Sequence, residues 1–530
     1  MIPDSPSLGS YRVARPGFEA AGPADSGAQM RLVVIMKPRH PLSEAEWAGV
    51  PWSRRRPAYE DHVARYGARR RDIAHVVAFA RASQLEVLET RAAARMVILT
   101  GSVGAVSAAF RTPLTLFQSA TGESYIGYTG ELQLPEGWSE IVVAVAGVDQ
   151  RPMAQRMRPP RRTASPGAFT VPELANIYGF PTALSGAGQC VGILEFGGWF
   201  APGDPAQYFS SLGIEPAIST LDVGGKNMPG VGSNWEVTMD LEIAGALAPD
   251  ATIVCYFGDN SEAGWLEALA GALHGAYRPT VLSTSWGNTE LEAGAPTWTR
   301  GAMRAVELFL WEAAILGVTV FVAAGDYGSS DAQPDKEPHV RYPASSPYVV
   351  GCGGTTLTMQ DGVRTEIVWN DADPDCGGAT GGGVSAFFER PRWQRGVVVP
   401  RAGNGLEGRG VPDVAAHANI CTGYRLYMST IPDWVSGGTS AVAPLWAGLI
   451  ARINQRLAAL YGDDMTVGYL TPWLYSGAGA SPAFHDVTVG SNGAYTAGVG
   501  WDPCTGWGTP DGTALMNALL GWLKVRPPCP

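Results

Sequence analysis

Apolar and polar residues alternate in two different rhythms along this chain, and the change between them divides it. In the first part, residues 31–37 (RLVVIMK) are a short apolar run of strand length, and 96–100 are a second. Residues 72–83 (DIAHVVAFARAS) carry apolar side chains at helical spacing; 105–110 predict a short helix, 114–117 a strand and 138–146 a further helix. Residues from about 28 to 150 therefore read as a small α+β unit. The next stretch, 151–167 (RPMAQRMRPPRRTASPG), has several prolines, five arginines and no apolar periodicity, so it predicts an exposed linker open to proteolysis.

From about residue 170 the rhythm becomes strand, helix, strand, helix. Apolar runs at 190–196, 252–257, 281–285, 319–323 and 348–350 predict buried strands. Helical spacing at 205–212, 235–247, 263–274 and 299–316 falls between them. Apolar strands alternating with helices of this length imply an α/β fold with a parallel sheet covered on both faces.

A length of 530 residues fits two or three domains, and 45% hydrophobic residues with 67 glycines and 40 prolines indicate a folded, turn-rich protein. No apolar run approaches the roughly 18 residues needed to span a membrane. Residues 1–26 lack a charged start followed by an apolar core, so no secretory signal is recognisable. Charge is uneven: residues 1–170 hold 21 basic and 15 acidic side chains, the remainder 17 and 34. A basic segment ahead of an acidic one suggests that each is the other's partner, chance surface composition being the alternative. Nucleic acid is excluded as a partner, because the larger part repels phosphates. Seven widely spaced cysteines without a CxxC pair give neither a disulfide framework nor a zinc pattern, and most read as buried thiols.

Three segments carry candidate chemistry. Residues 436–444 (SGGTSAVAP) bring Ser440 into the first turn of an apolar helix, where backbone N–H groups favour developing negative charge; an ordinary helix cap has the same appearance. None of the seven histidines sits in a glycine-flanked turn opening a helix, so an imidazole base has little support. In NWEVTMDLEIAGALAPD, Glu236 and Asp240 are four residues apart on one helix face. Such a pair shares a proton and could take one from a hydroxyl under acidic conditions, or it could be two solvated carboxylates favoured by the helix dipole. In VTVFVAAGDYGSSD, Asp326 leaves the C-terminal tip of a strand, where parallel sheets place their sites. Protonated, it could hydrogen-bond an oxyanion; otherwise it is a loop aspartate or cap.

Together these segments resemble the sedolisin family, the serine-carboxyl peptidases, and especially its kumamolisin-type members. The family motif SGTSxxxP appears here as SGGTSAVAP, with one further glycine. The resemblance implies that Ser440 is the nucleophile, Glu236 the general base and acid, Asp240 the residue that orients and tunes Glu236, and Asp326 the oxyanion stabiliser. Glu195 in VGILEFGG and Trp286 in STSWG match auxiliary positions of the same network. Residues 484–510 resemble the family's calcium loop, which implies one calcium ion on the carboxylates of Asp486 and Asp502 and the carbonyls of Val487, Gly498 and Gly500. Oxygen-only ligation suits that hard cation. By contrast DADPDC at 371–376 has no glycine at the sixth position of an EF-hand loop, and no acid at the twelfth.

The N-terminal unit resembles the family's activation domain, a ferredoxin-like fold. The implied organisation is a prodomain over 1–150, a processing linker over 151–168 and a catalytic domain over 169–530 with a subtilisin-like sheet. The implied protein is a secreted, monomeric endopeptidase of polypeptides, active in acid and independent of membranes. Its own prodomain would be its inhibitor, the basic unit covering an acidic cleft until acid weakens the attraction. Tyr327 departs from the serine that commonly follows the oxyanion aspartate, which bears on substrate preference. Three other readings remain: a histidine-dependent subtilisin-like peptidase, a non-catalytic binding protein on the same scaffold, and a glycosidase using Glu236 and Asp240.

Overall fold

The computed structural model describes residues 8–40, 42, 55–154, 167–225, 234–373, 375–479 and 481–525. In the N-terminal unit the strands Gln29–Met36, Glu86–Arg91, Met96–Ser102 and Val142–Ala146 form an antiparallel sheet, in which Gln29–Met36 lies between the last two and Met96–Ser102 lies beside Glu86–Arg91. Helices Arg70–Ala82 and Val103–Ala109 supply the connections, giving the βαββαβ order of a ferredoxin-like fold. Along the first strand, Leu32, Val34 and Met36 face a core with Val76, Phe110 and Trp138. Val33 and Ile35 face the opposite way, into a core with Leu266, Leu269, Met303 and Leu310 of the catalytic domain. Both faces are covered, which is why this strand is apolar at successive positions instead of alternating.

Two expectations change here. The helix predicted over 138–146 is a single turn, Trp138–Ile141, followed by the strand Val142–Ala146. Its VVAVA sequence is stiff at χ1 and gains ladder bonds beside Gln29–Met36. The expected linker is anchored at its start: Arg151, Met153 and Ala154 are buried, and Asn260 Oδ1 accepts the N–H groups of Met153 and Ala154 at 2.9 and 2.6 Å. Residues 155–166 lie outside the described residues.

The C-terminal unit is built on an eight-stranded sheet. Six parallel strands run in the order Ala217–Asp222, Thr252–Gly258, Cys190–Phe196, Val281–Thr284, Thr319–Ala323 and Val350–Gln360. Val414–His417 pairs in parallel with the last of these and Val363–Val368 antiparallel to it. Helices Asn234–Leu247 and Thr439–Tyr461 share one core cluster with the sheet. Helices Glu262–His274 and Arg300–Ile315 share another, which also takes in the prodomain sheet.

The charge asymmetry has a structural counterpart, although not in the cleft. Arg12 pairs with Glu262 at 2.7 Å, Arg15 with Glu292 at 3.3 Å, Arg31 with Glu267 at 2.6 Å and Arg95 with Glu312 at 2.6 Å. Three of these carboxylates lie on the two helices beneath the prodomain sheet, so among the described residues the ion pairs of the basic unit fall on those helices and not on Glu236 or Asp240. Glu312 is fully buried, as is its partner Arg95. Burial alone would raise its pKa, but Arg95, His274 and His62 hold it well below the usual range. A carboxylate whose folded pKa is depressed contributes its full stability above the unfolded pKa and loses it as pH falls from there through the folded value. Mild acid therefore leaves this clamp ionised, which removes the expected acid weakening at its centre.

The reading of the cysteines is corrected as well. Cys376 and Cys421 form a disulfide across 45 residues, while Cys190, Cys255, Cys352 and Cys504 are free thiols. Wide sequence spacing hid a pair that tertiary folding brings together.

Arg95→Met should leave Glu312 buried without its guanidinium and destabilise the precursor by about 3–5 kcal/mol. Urea unfolding of the full-length chain measures this, and a loss below about 1 kcal/mol would mean the pair is dispensable.

Candidate active site

The residues singled out from sequence converge at the C-terminal edge of the parallel strands. Glu195 lies near the end of Cys190–Phe196, Trp286 just beyond Val281–Thr284, and Asp326 just beyond Thr319–Ala323. Glu236 and Asp240 lie one turn apart on Asn234–Leu247, and Ser440 is the second residue of Thr439–Tyr461. All are buried, with Ser440, Asp240 and Asp326 at 0% exposure and Glu236 at 2%.

A chain of polar contacts joins them. Trp286 Nε1–H donates to Glu195 Oε2 at 2.7 Å. Glu195 and Asp240 are close enough that each carboxyl shifts the other. Ser285 Oγ, which sequence reasoning passed over, lies 2.7 and 3.0 Å from the two carboxylate oxygens of Asp240. Its signal was available in STSWG, immediately before the tryptophan that was noted. Neither Glu236 oxygen nor Ser440 Oγ has a partner of good hydrogen-bond geometry. The hydroxyls of Ser440 and Ser285 are nonetheless near enough to favour the charged form of Glu236.

Desolvation dominates the electrostatics. Burial pushes the carboxyls of Glu195, Glu236 and Asp240 well above their ordinary range. Mutual repulsion adds to it: Asp240 and Asp326 raise Glu236, Glu236 raises Glu195, and Glu195 raises Asp240. No imidazole is among the groups acting on these three. His417 is occupied elsewhere, its Nδ1 accepting Leu357 N–H at 3.1 Å and its Nε2 lying 2.8 Å from Thr422 O.

Asp326 is held from the start of the helix Thr439–Tyr461. Its Oδ1 accepts both the N–H and the hydroxyl of Thr439 at 2.8 Å, and Thr439 Oγ1 accepts Gly325 N–H at 3.0 Å. Oδ2 has no partner among the described residues. Burial raises the Asp326 carboxyl above its normal range, opposed by the Thr439 donors and Arg341. Close approach requires Gly438: its φ is +83°, and a Cβ there would sit 2.5 Å from Asp326 Oδ2. Tyr327 is half-buried, with the Arg341 guanidinium 5.7 Å from its ring centroid.

The other predicted cluster also forms one loop. Asp486 Oδ2 accepts Gly500 N–H at 2.7 Å, and Asp502 Oδ2 accepts Gly498 N–H at 3.1 Å. Asp502 is buried and its carboxyl raised by burial, with only neutral N–H and O–H donors opposing the shift. An oxygen-rich turn with a buried carboxylate and no cationic side chain acting on it fits a hard cation. Elsewhere, Asp373 lies beside Cys376 and Cys421, but the disulfide consumes both thiols.

Residues 16–151 match the family described as "Pro-kumamolisin, activation domain", and residues 223–478 match the "Subtilase family". The chain is 40% identical to kumamolisin of Bacillus sp. (strain MN-32), across 97% of its own length and 95% of the relative's. It is 27% identical to tripeptidyl-peptidase sed5 of Aspergillus fumigatus, over 98% of each chain. Among solved structures, Pseudomonas sedolisin, a serine-carboxyl proteinase complexed with pseudo-iodotyrostatin, superposes with a TM-score of 0.58 at 27% identity, covering 68% of this chain and 100% of that one. The chain thus belongs to the kumamolisin–sedolisin family of serine-carboxyl peptidases.

Proposed function

We propose that this chain is the precursor of a secreted, monomeric, acid-active serine endopeptidase. In this reading Ser440 Oγ attacks the scissile carbonyl carbon while Glu236 takes its proton. Protonated Asp326 donates a hydrogen bond to the oxyanion, and Asp240 orients and tunes Glu236. The tetrahedral intermediate collapses as Glu236 returns the proton to the leaving nitrogen and the C–N bond breaks, leaving an acyl-enzyme on Ser440. Water, deprotonated by Glu236, then releases the acyl group. Glu195 and Trp286 fix the far end of the carboxylate chain. The observation that carries the reading is a ring of buried carboxylates around a buried serine with no imidazole acting on it.

The pH dependence follows from the raised carboxyls. A group whose folded pKa is raised contributes stability fully below its unfolded value, and loses it as pH rises through the folded one. Glu195, Glu236, Asp240 and Asp326 all shift in that direction. The site is therefore favoured in acid, and the alkaline limb of activity marks loss of the Asp326 and Asp240 protons. The acid limb marks protonation of Glu236. Secretion agrees with the Cys376–Cys421 disulfide, and no described helix is long and apolar enough to cross a membrane. Self-processing would cut within 151–168.

Calcium would be held by the carboxylates of Asp486 and Asp502 with the carbonyls of Val487, Gly498 and Gly500. There it would tie the loop together and take no part in proton transfer.

Ser440→Ala and Glu236→Gln should each lower kcat/KM on a peptide substrate by about 100-fold or more, with melting curves close to wild type. Full activity of Glu236→Gln would sink the assignment of the base, and sugar hydrolysis by Ser440→Ala would favour a glycosidase. Mass spectrometry of the products distinguishes internal cleavage from stepwise release of tripeptides. Gly438→Ala should cost about 1–3 kcal/mol of stability and most of kcat, since its methyl group meets Asp326. Chelation of the mature enzyme should lower its melting temperature, and calcium at 100 times its Kd should restore about 2.7 kcal/mol; an unchanged melting curve would remove the ion from this loop.

A further inference from the structure

The main-chain carbonyl of the nucleophile is deprived of its ordinary partner. In an α-helix the carbonyl of residue i accepts the N–H of residue i+4. For Ser440 that residue is Pro444, which has no N–H. The Ser440 carbonyl instead accepts from the Ser285 hydroxyl at 3.1 Å. The same Oγ lies 2.7 Å from Asp240 Oδ2 and 3.0 Å from Oδ1. Ser285 is 1% exposed and directly follows the central strand Val281–Thr284, so its position is fixed by the sheet.

A hydroxyl has one proton to donate. With Asp240 ionised, that proton serves the carboxylate. With Asp240 protonated, Asp240 donates to Ser285 Oγ, and the Ser285 proton turns to the Ser440 carbonyl. We propose that Ser285 is a positioning residue tethering Asp240 to the first turn of the nucleophile helix, through an acceptor that Pro444 leaves free. The proposal rests on the roles assigned above to Ser440, Glu236 and Asp240. The tether sets the Ser440 backbone, and hence the direction of Oγ toward Glu236, according to the protonation of Asp240. The other titratable groups acting here are Glu195, from the strand Cys190–Phe196, and Asp326, beyond Thr319–Ala323, with Glu236 on the same helix as Asp240. Ser285 also favours the charged form of Glu236.

The test is a double-mutant cycle on the matured enzyme. Ser285→Ala should lower kcat by about 10- to 100-fold with KM changed less than about twofold. It should also move the acid limb of kcat to higher pH, because both carboxylates lose a donor. Ser285→Thr, which keeps the hydroxyl, should restore the limb. Pro444→Ala returns an amide N–H to the Ser440 carbonyl, so the effect of Ser285→Ala on kcat should shrink in that background. Additive effects of the two changes would overturn the tether, as would an acid limb that stays in place in Ser285→Ala. Should Ser285→Ala fail to mature, Pro444→Ala alone decides: freed from Ser440, Ser285 serves the charged form of Asp240 and the alkaline limb, which marks the Asp240 proton, moves to lower pH, whereas an unmoved alkaline limb refutes the proposal. Activity surviving in Glu236→Gln would instead strike the base assignment, a separate result.

Discussion

Removing several carboxyl groups from water around one serine, without a cation beside them, is the constraint on which this molecule turns. Isolated buried carboxylates cost several kcal/mol each as ions, so Glu195, Glu236 and Asp240 must hold protons between them. The parallel sheet makes the arrangement possible. Three strand ends and two helix starts meet at one edge, so residues far apart in sequence arrive within contact distance on rigid elements. Under the proposed roles, catalytic competence and acid preference are then the same property.

The seam between the domains has the opposite character. Glu312 is equally buried, but Arg95 and two imidazoles surround it, and its carboxyl is held ionised. One protein thus contains buried acids pushed in both directions, and at Glu312 it is a guanidinium together with two imidazoles that outweighs the desolvation. The basic prodomain supplies those guanidinium groups. Its sheet also covers apolar faces of Glu262–His274 and Arg300–Ile315.

Much of the catalytic half was legible because the strands Cys190–Phe196, Thr252–Gly258, Val281–Thr284 and Thr319–Ala323 are short and almost fully buried. The strand expected at 348–350 instead runs over Val350–Gln360, where glycines and threonines hide it. The helices of this half fell within a few residues of their predicted positions. The edge strand Ala217–Asp222 escaped notice because AISTLD is half-exposed and lacks that signature. Val142–Ala146 was mistaken for helix because its partner strand lies more than a hundred residues earlier. Ser440, Glu236, Asp240 and Asp326 stood out through local motifs. Ser285 and Thr439 did not, since their significance depends on which oxygen they meet across the sheet. The Cys376–Cys421 bond was invisible for the same reason, being a product of tertiary proximity alone.

The interdomain seam has a kinetic corollary. The ion pairs of Arg12, Arg31 and Arg95, and the described apolar contacts beneath the prodomain sheet, join residues before 155 to residues after 166. Scission of the stretch between would change connectivity and leave those contacts standing. The severed prodomain would stay seated as a bound inhibitor, and the lag before activity would be timed by its departure or digestion, whatever the speed of the first cut.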